Sequence, residues 1–301
     1  MKRGNQLKSI YIRQNEEKIL LLQFLSAKTY NRAASINMFL WILSILSALF
    51  LPSLEVFFLK YLGNNSLVIP LLVMLGIYFL EQKVENLIIL GADTKELIDR
   101  TLFGFESTTT LDNFSKDEIV EAALKVKEQN KKEYKSAIRN TGKDKPKGVR
   151  NWYSESNDKT LLNEIFHCQK ENRWYDNSIS TTYTYVCLFV FLIVTIGLIL
   201  FFKDYTLASI LFTISSYSSL ILKLYSDVKQ YRKVKDIHLS TETLMDYAER
   251  NGNLNMDIVK NIQSKIYQRR KISYVPLNII HSIKSIKLHE LWKKKQSMKN
   301  K

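Results

Sequence analysis

Four uncharged stretches, set in two close pairs, constrain this 301-residue chain more than anything else in it. They are Ile36–Leu54, Tyr61–Leu80, Tyr183–Phe202 and Tyr205–Leu222, of 19, 20, 20 and 18 residues. A helix needs about 20 apolar residues to cross a bilayer, so each stretch is long enough to span one. Six residues separate the first two and two separate the last two, which makes each pair a helical hairpin. Two hairpins place both termini and the middle segment on one side of the membrane.

The charges name that side. Of 44 Lys and Arg, seven lie in residues 1–35, seventeen in 81–182 and eighteen in 223–301; only Lys60 and Lys203 fall in the hairpin turns. Lys and Arg concentrate on cytoplasmic flanks, so the expected location is the inner membrane of a prokaryotic cell, multi-pass, with both termini cytoplasmic. Residues 1–35 are polar and the first apolar run is full length, so no cleavable leader is expected. The net charge of +15 is uneven. Residues 81–182 carry 17 bases against 18 acids, whereas 223–301 carry 18 against 7. The positive field of the C-terminal segment suggests an anionic partner such as a lipid headgroup, a nucleotide or a nucleic acid.

The expected fold is an all-α membrane protein. It has four transmembrane helices in two hairpins plus an α-helical cytosolic domain built from the N-terminal, central and C-terminal segments. The divisions are 1–35 (N-terminal helix), 36–80 (first hairpin), 81–182 (central helical region), 183–222 (second hairpin) and 223–301 (basic C-terminal region). Helical patterning runs through 6–33, 81–103, 118–134 with Ser115 or Asp117 as cap, 163–180, 223–250 and 256–271. Breaks are expected at Thr108–Thr110, 139–150, Asn251–Asn253 and Pro276. Cys168 and Cys187 are expected to be free thiols.

Catalytic signatures are missing: no phosphate-binding Gly loop, dinucleotide fingerprint, HExxH or CxxC occurs. The chain is therefore read as a non-enzyme without cofactor or metal. His167 beside Cys168 lacks a completing ligand set, and His238, His281 and His289 are read as solvated or capping. The spans lack ionisable residues, which argues against ion-coupled transport. They carry instead a hydroxyl stripe, with Ser44 and Ser47 in the first span and Thr213, Ser216 and Ser219 in the fourth. Such residues pack helices closely or line a polar path, and both readings stand. The densest candidate binding stretch is Val149–Asp176, where Trp152, Tyr153, Trp174 and Tyr175 alternate with Arg150, Gln169, Asn172 and Arg173. Aromatic faces beside Arg and amides suit a nucleobase. An interfacial belt suits Trp174 and Tyr175 equally, and core packing suits Trp152 and Tyr153. Lys284–Lys301 holds seven lysines and one acid and has an apolar side, as a helix lying on an anionic membrane would.

Three segments carry a resemblance: IRQNEEKILLLQFLSAKTYNRA (Ile12–Ala33), RNWYS…CQKENRWYD (Arg150–Asp176) and IQSKIYQRRKISYVP (Ile262–Pro276). Their order and spacing resemble the SMODS-associated four-transmembrane effector family of bacterial anti-phage systems. The resemblance implies a homo-oligomeric membrane effector paired with a co-encoded cyclic-oligonucleotide synthase and acting on the lipid bilayer, not on DNA. Its cytosolic domain would sense the nucleotide, which either opens the effector or holds it shut, and its spans would breach the inner membrane. The matched positions are Arg13, Gln14, Asn15, Trp152, Tyr153, Gln169, Asn172, Trp174, Asp176, Gln263, Tyr267 and Arg270. For a polyanionic ligand, Arg150, Arg269 and Arg270 are the expected phosphate contacts, since a guanidinium binds phosphate at two points. Trp152 and Tyr153 are the expected stacking platform, with Gln169, Asn172 and Trp174 beside them. The competing reading is a non-enzymatic membrane scaffold that recruits a cytosolic partner.

Overall fold

The computed structural model describes residues 9–54, 61, 68–105, 111–156, 160–201 and 207–299. Both hairpin turns, the predicted turn at Thr108–Thr110 and Thr206 of the hydroxyl-rich fourth span lie outside the described residues. Within them the elements are α1 (Ile10–Arg13), α2 (Glu17–Ser53), α3 (Val68–Phe103), α4 (Lys116–Gln129), α5 (Lys131–Ala137), α6 (Leu161–Phe201), α7 (Leu207–Arg250), α8 (Met256–Arg270) and α9 (Asn278–Lys299). No strand occurs among them; one isolated bridge joins Thr141 to Arg150.

Local chemistry sets the ends. Ser115 caps α4 through a reciprocal capping box with Glu118, which satisfies two backbone donors of the first turn. The helix predicted over 118–134 is split at Asn130, whose backbone leaves helical geometry (φ −129, ψ 40). Gly252 ends α7 in the left-handed region (φ +59), which lacks the steric cost a Cβ would bring. Pro276 stands between α8 and α9.

Four long helices, α2, α3, α6 and α7, run out of a smaller helical domain. Two of them, α2 and α6, are long and apolar enough to cross a membrane by length and composition. The second and fourth predicted spans begin in or beside the undescribed residues and continue in α3 and α7. All four helices present large apolar side chains outward: Phe39 and Phe50 on α2, Leu72 and Phe79 on α3, Phe189 and Ile199 on α6, Ile214 and Leu222 on α7. A belt of that size in water would be anomalous; a bilayer covers it. Inside the belt, Ala33, Leu40, Ile77 and Ile88 join α2 to α3. Trp41, Tyr183, Leu220 and Val234 join α2 to α6 and α7. The hydroxyl stripe lies in this packing. Ser44, Ser47, Ser216 and Ser219 are buried, Thr213 is half-buried, and Ser47 donates to the Ser216 carbonyl across the α2–α7 contact at 3.1 Å.

The core of the helical domain draws on segments far apart in sequence. Ile19, Leu22 and Leu25 of α2, Ile98 and Phe103 of α3, Ile119 of α4, Tyr153, Ile165 of α6 and Val259 of α8 form one cluster. Cys168 and Cys187 are buried free thiols. Gly91 lets α2 and α3 approach closely: a Cβ there would sit 2.9 Å from the Tyr30 ring.

Candidate functional site

The C-terminal end of α3 is enclosed, so its polar residues are buried with its apolar ones. Asp93, Thr94, Lys95, Glu96 and Asp99 are each at most 8% exposed. Asp93, Glu96 and Asp99 recur every third residue, which puts them on one face, and that face meets α8. Buried carboxylates need partners, and α8 supplies them. Arg270 lies 2.7 Å from Asp99. Gln263 donates to Glu96 at 2.8 Å and to Asp99 at 3.1 Å. The Tyr267 hydroxyl donates to Asp93 at 2.7 Å. Burial pushes the Glu96 carboxyl up, with Arg270 opposing. The Asp99 carboxylate and its partners outweigh the burial of Arg270 and raise that guanidinium further.

The segment around Trp152 enters the same network. The buried Tyr153 hydroxyl donates to Asp99 at 2.6 Å and accepts from Asn172 at 2.9 Å. Burial and then the Asp99 charge push its phenol well up. Its main chain is gripped by Gln14, whose carboxamide accepts from the Tyr153 N–H at 2.7 Å and donates to its carbonyl at 3.0 Å. Asn15 accepts from the Asn151 N–H at 3.1 Å and donates to the Asn151 side-chain oxygen at 2.8 Å, and Arg13 donates to the Leu102 carbonyl. The Arg–Gln–Asn run is thus a staple between the N-terminal segment, α3 and the loop before α6.

Arg269, the neighbour of Arg270, points elsewhere. It pairs with Asp176 of α6 at 2.6 Å and donates to Ser180 at 3.3 Å. His238 of α7 is not solvated as expected: it is buried 2.9 Å from the same carboxylate. Burial raises the Asp176 carboxyl, but Arg269 and His238 overcome it and hold it at about 2. From Ser180 the polar contacts run to the membrane. The Tyr274 hydroxyl donates to the Ser180 carbonyl at 2.8 Å, and its ring packs on Tyr183 at 5.2 Å. The Tyr183 hydroxyl donates to Asp227 at 2.5 Å and accepts from Trp41 and Asn37 at 2.8 and 3.0 Å. Asp227 pairs with Lys223 at 2.8 Å, with Glu81 3.8 Å from the same ammonium.

Of the residues expected to bind a ligand, the structure brings Tyr153, Gln169, Asn172 and Arg270 into one buried network. Gln169 donates to the Val259 carbonyl at 2.9 Å and to Gln263 at 3.3 Å. Trp152 lies at the edge, half-exposed, with the Lys95 ammonium 3.6 Å from its ring centroid. Arg269 sits in the adjoining cluster. Trp174 is apart, on the flank where α9 packs, with its ring 6.0 Å from that of Trp292. Arg150 is exposed on the loop after the Thr141 bridge. An open cavity of about 240 Å³ between α6 and the end of α7 lies apart from this network and is lined by Asn163, His167, Lys170 and Glu249. Sequence reading did not single out Asp93, Lys95, Glu96 or Asp99. The three-residue acid spacing on an otherwise apolar helix was the available signal.

No curated protein and no solved structure matches the chain. A family model described as the SMODS-associating 4TM effector domain matches residues 8–284. It thereby spans the staple, the buried network and all four long helices, and the chain belongs to that effector family.

Proposed function

We propose that this chain is an anti-phage membrane effector whose cytosolic domain senses a cyclic oligonucleotide and whose spans permeabilise the inner membrane, arresting or killing the cell. One observation carries the reading. The Asp99–Arg270 network adjoins Arg269 along the α8 backbone, and from Arg269 polar and aromatic contacts run through Asp176, Ser180 and Tyr274 to Tyr183 and Asp227 at the mouth of the spans. A ligand shifts such an assembly only through different affinities for its two states, and a route of directional bonds gives those states different contacts. One four-helix bundle is too thin to enclose a wide pore, so the active form is an oligomer.

The test is membrane potential in cells expressing the chain from a tight promoter, with and without a co-expressed cyclic-oligonucleotide synthase. Depolarisation confined to cells with the synthase identifies a ligand-opened effector. Depolarisation confined to cells without it identifies one that its ligand holds shut. Full potential in both sinks the reading.

A further inference from the structure

Lys95 is the base of the buried run on α3, and among the described residues no carboxylate lies within ion-pair distance of it. Its ammonium donates to the Gln23 carbonyl oxygen at 2.5 Å and lies against the Trp152 ring at 3.6 Å. Asp99, one helical turn on, is engaged by Arg270, Tyr153 and Gln263. Gln23 is 2% exposed, and its amide nitrogen has no acceptor among the described residues. Two buried groups, an ammonium and a carboxamide NH2, therefore hold more protons than the surrounding protein has acceptors. That is the inverse of what a settled core does. Burial, reinforced by Arg270, lowers the Lys95 ammonium to about 7. An entering anion would reverse that cost.

The cover over this donor pair is a loop residue, not a helix. Trp152 sits outside regular structure and is 48% exposed. One face of its indole meets Lys95; the exposed remainder offers a surface for stacking. By contrast, Arg269 and Arg270, the phosphate contacts expected from sequence, are already neutralised by Asp176 and Asp99.

We propose that Lys95 and Gln23 form a phosphate site, with Trp152 as its stacking cover, for the nucleotide that this domain senses. The Lys95 ammonium and the Gln23 amide donate to one phosphate group, and a base of the same nucleotide stacks on the indole. This rests on the sensing reading above.

The experiment is equilibrium binding of radiolabelled cyclic di-AMP, cyclic di-GMP and cyclic GMP–AMP to the full chain in lipid nanodiscs, with Lys95→Met and Gln23→Leu alongside. Losing a charge-assisted hydrogen bond weakens binding by about tenfold to a hundredfold, so Lys95→Met should lose at least about tenfold. Lys95→Met leaves the Gln23 carbonyl oxygen without its donor and Gln23→Leu leaves the Lys95 ammonium without its acceptor, so each variant is melted first and binding is compared between folded proteins. If wild type binds a probe and both variants bind it equally well, the site is overturned and the sensing reading stands. If wild type binds none of the three, both fall. Should Lys95→Met fold poorly, acylation of Lys95 in the wild type, read by mass spectrometry with and without the bound probe, decides instead. Protection supports the site; equal labelling overturns it.

Discussion

The Arg270–Asp99 pair separates a structural arginine from a ligand-binding one. Asp99 is 1% exposed and the Arg270 side chain 14%. Removing one partner of such a pair leaves an uncompensated buried charge, at a cost of about 3–5 kcal/mol. For a domain of this size each kcal/mol moves the melting temperature by roughly 2–4 °C. Arg270→Met or Asp99→Leu alone should therefore melt roughly 6–20 °C below wild type. The double variant removes both charges together. Tyr153 and Gln263 still lose their Asp99 acceptor, at about 1 kcal/mol each, so it should melt above either single variant, with a coupling energy of at least about 2 kcal/mol. The assay is a set of intrinsic-fluorescence melts of the four proteins at one scan rate, without ligand. Single variants within about 2 °C of wild type, or costs that simply add, would refute the claim that this pair holds the domain together.

Three further outcomes follow from the structure. Gly148→Ala would place a Cβ 1.9 Å from the Asn140 carbonyl oxygen; backbone cannot yield there, so the 139–150 loop should become protease-sensitive, while Gly142→Ala, with nothing within 4 Å, should change nothing. Lys95 loses its proton at about 7 in the folded chain but only near 10.5 when unfolded. The unfolded state thus binds more protons between these values, and stability rises with pH there; melts at several pH values should show that rise reduced in Lys95→Met. Trp292, 3% exposed against Trp174 and His167, anchors α9. Trp292→Ala costs about 3–5 kcal/mol, and hydrogen exchange should show α9 losing protection while α8 keeps it.

The sequence made the long apolar helices legible because a span must be uncharged over its full length, and a missing charge needs no partner to be noticed. It made the breaks at Ser115, Gly252 and Pro276 legible because caps and helix breakers act on neighbouring residues. The buried network was legible only in part. Tyr153, Gln169, Asn172 and Arg270 stood out as residue types, but nothing local marked Asp99 and Glu96 as buried. Their partners Arg270 and Gln263 lie 171 and 167 positions away, and only the tertiary fold makes that face an interior. The split of Asn130 from the predicted α4–α5 helix is a smaller case: Asn bonds its own backbone readily, and its amide does so here, to the Val126 carbonyl at 2.9 Å.

Two consecutive arginines at the end of α8 hold two different long helices. Neighbours in a helix do not face each other, so Arg270 reaches Asp99 on α3 while Arg269 reaches Asp176 on α6. Both of those helices continue toward the membrane, and α6 is long and apolar enough to cross it. A ligand moves such an assembly only through its differential affinity for the two states. The proposed phosphate site is on α3, one helical turn from Asp99 and remote in sequence from Asp176. On the sensing reading proposed above, the arm expected to move on ligand exchange is α3, with α6 and Arg269 as its reference. In the binding assay, Arg270→Met should accordingly shift the balance between ligand-free and ligand-bound states, whereas Arg269→Met should lower stability in both alike.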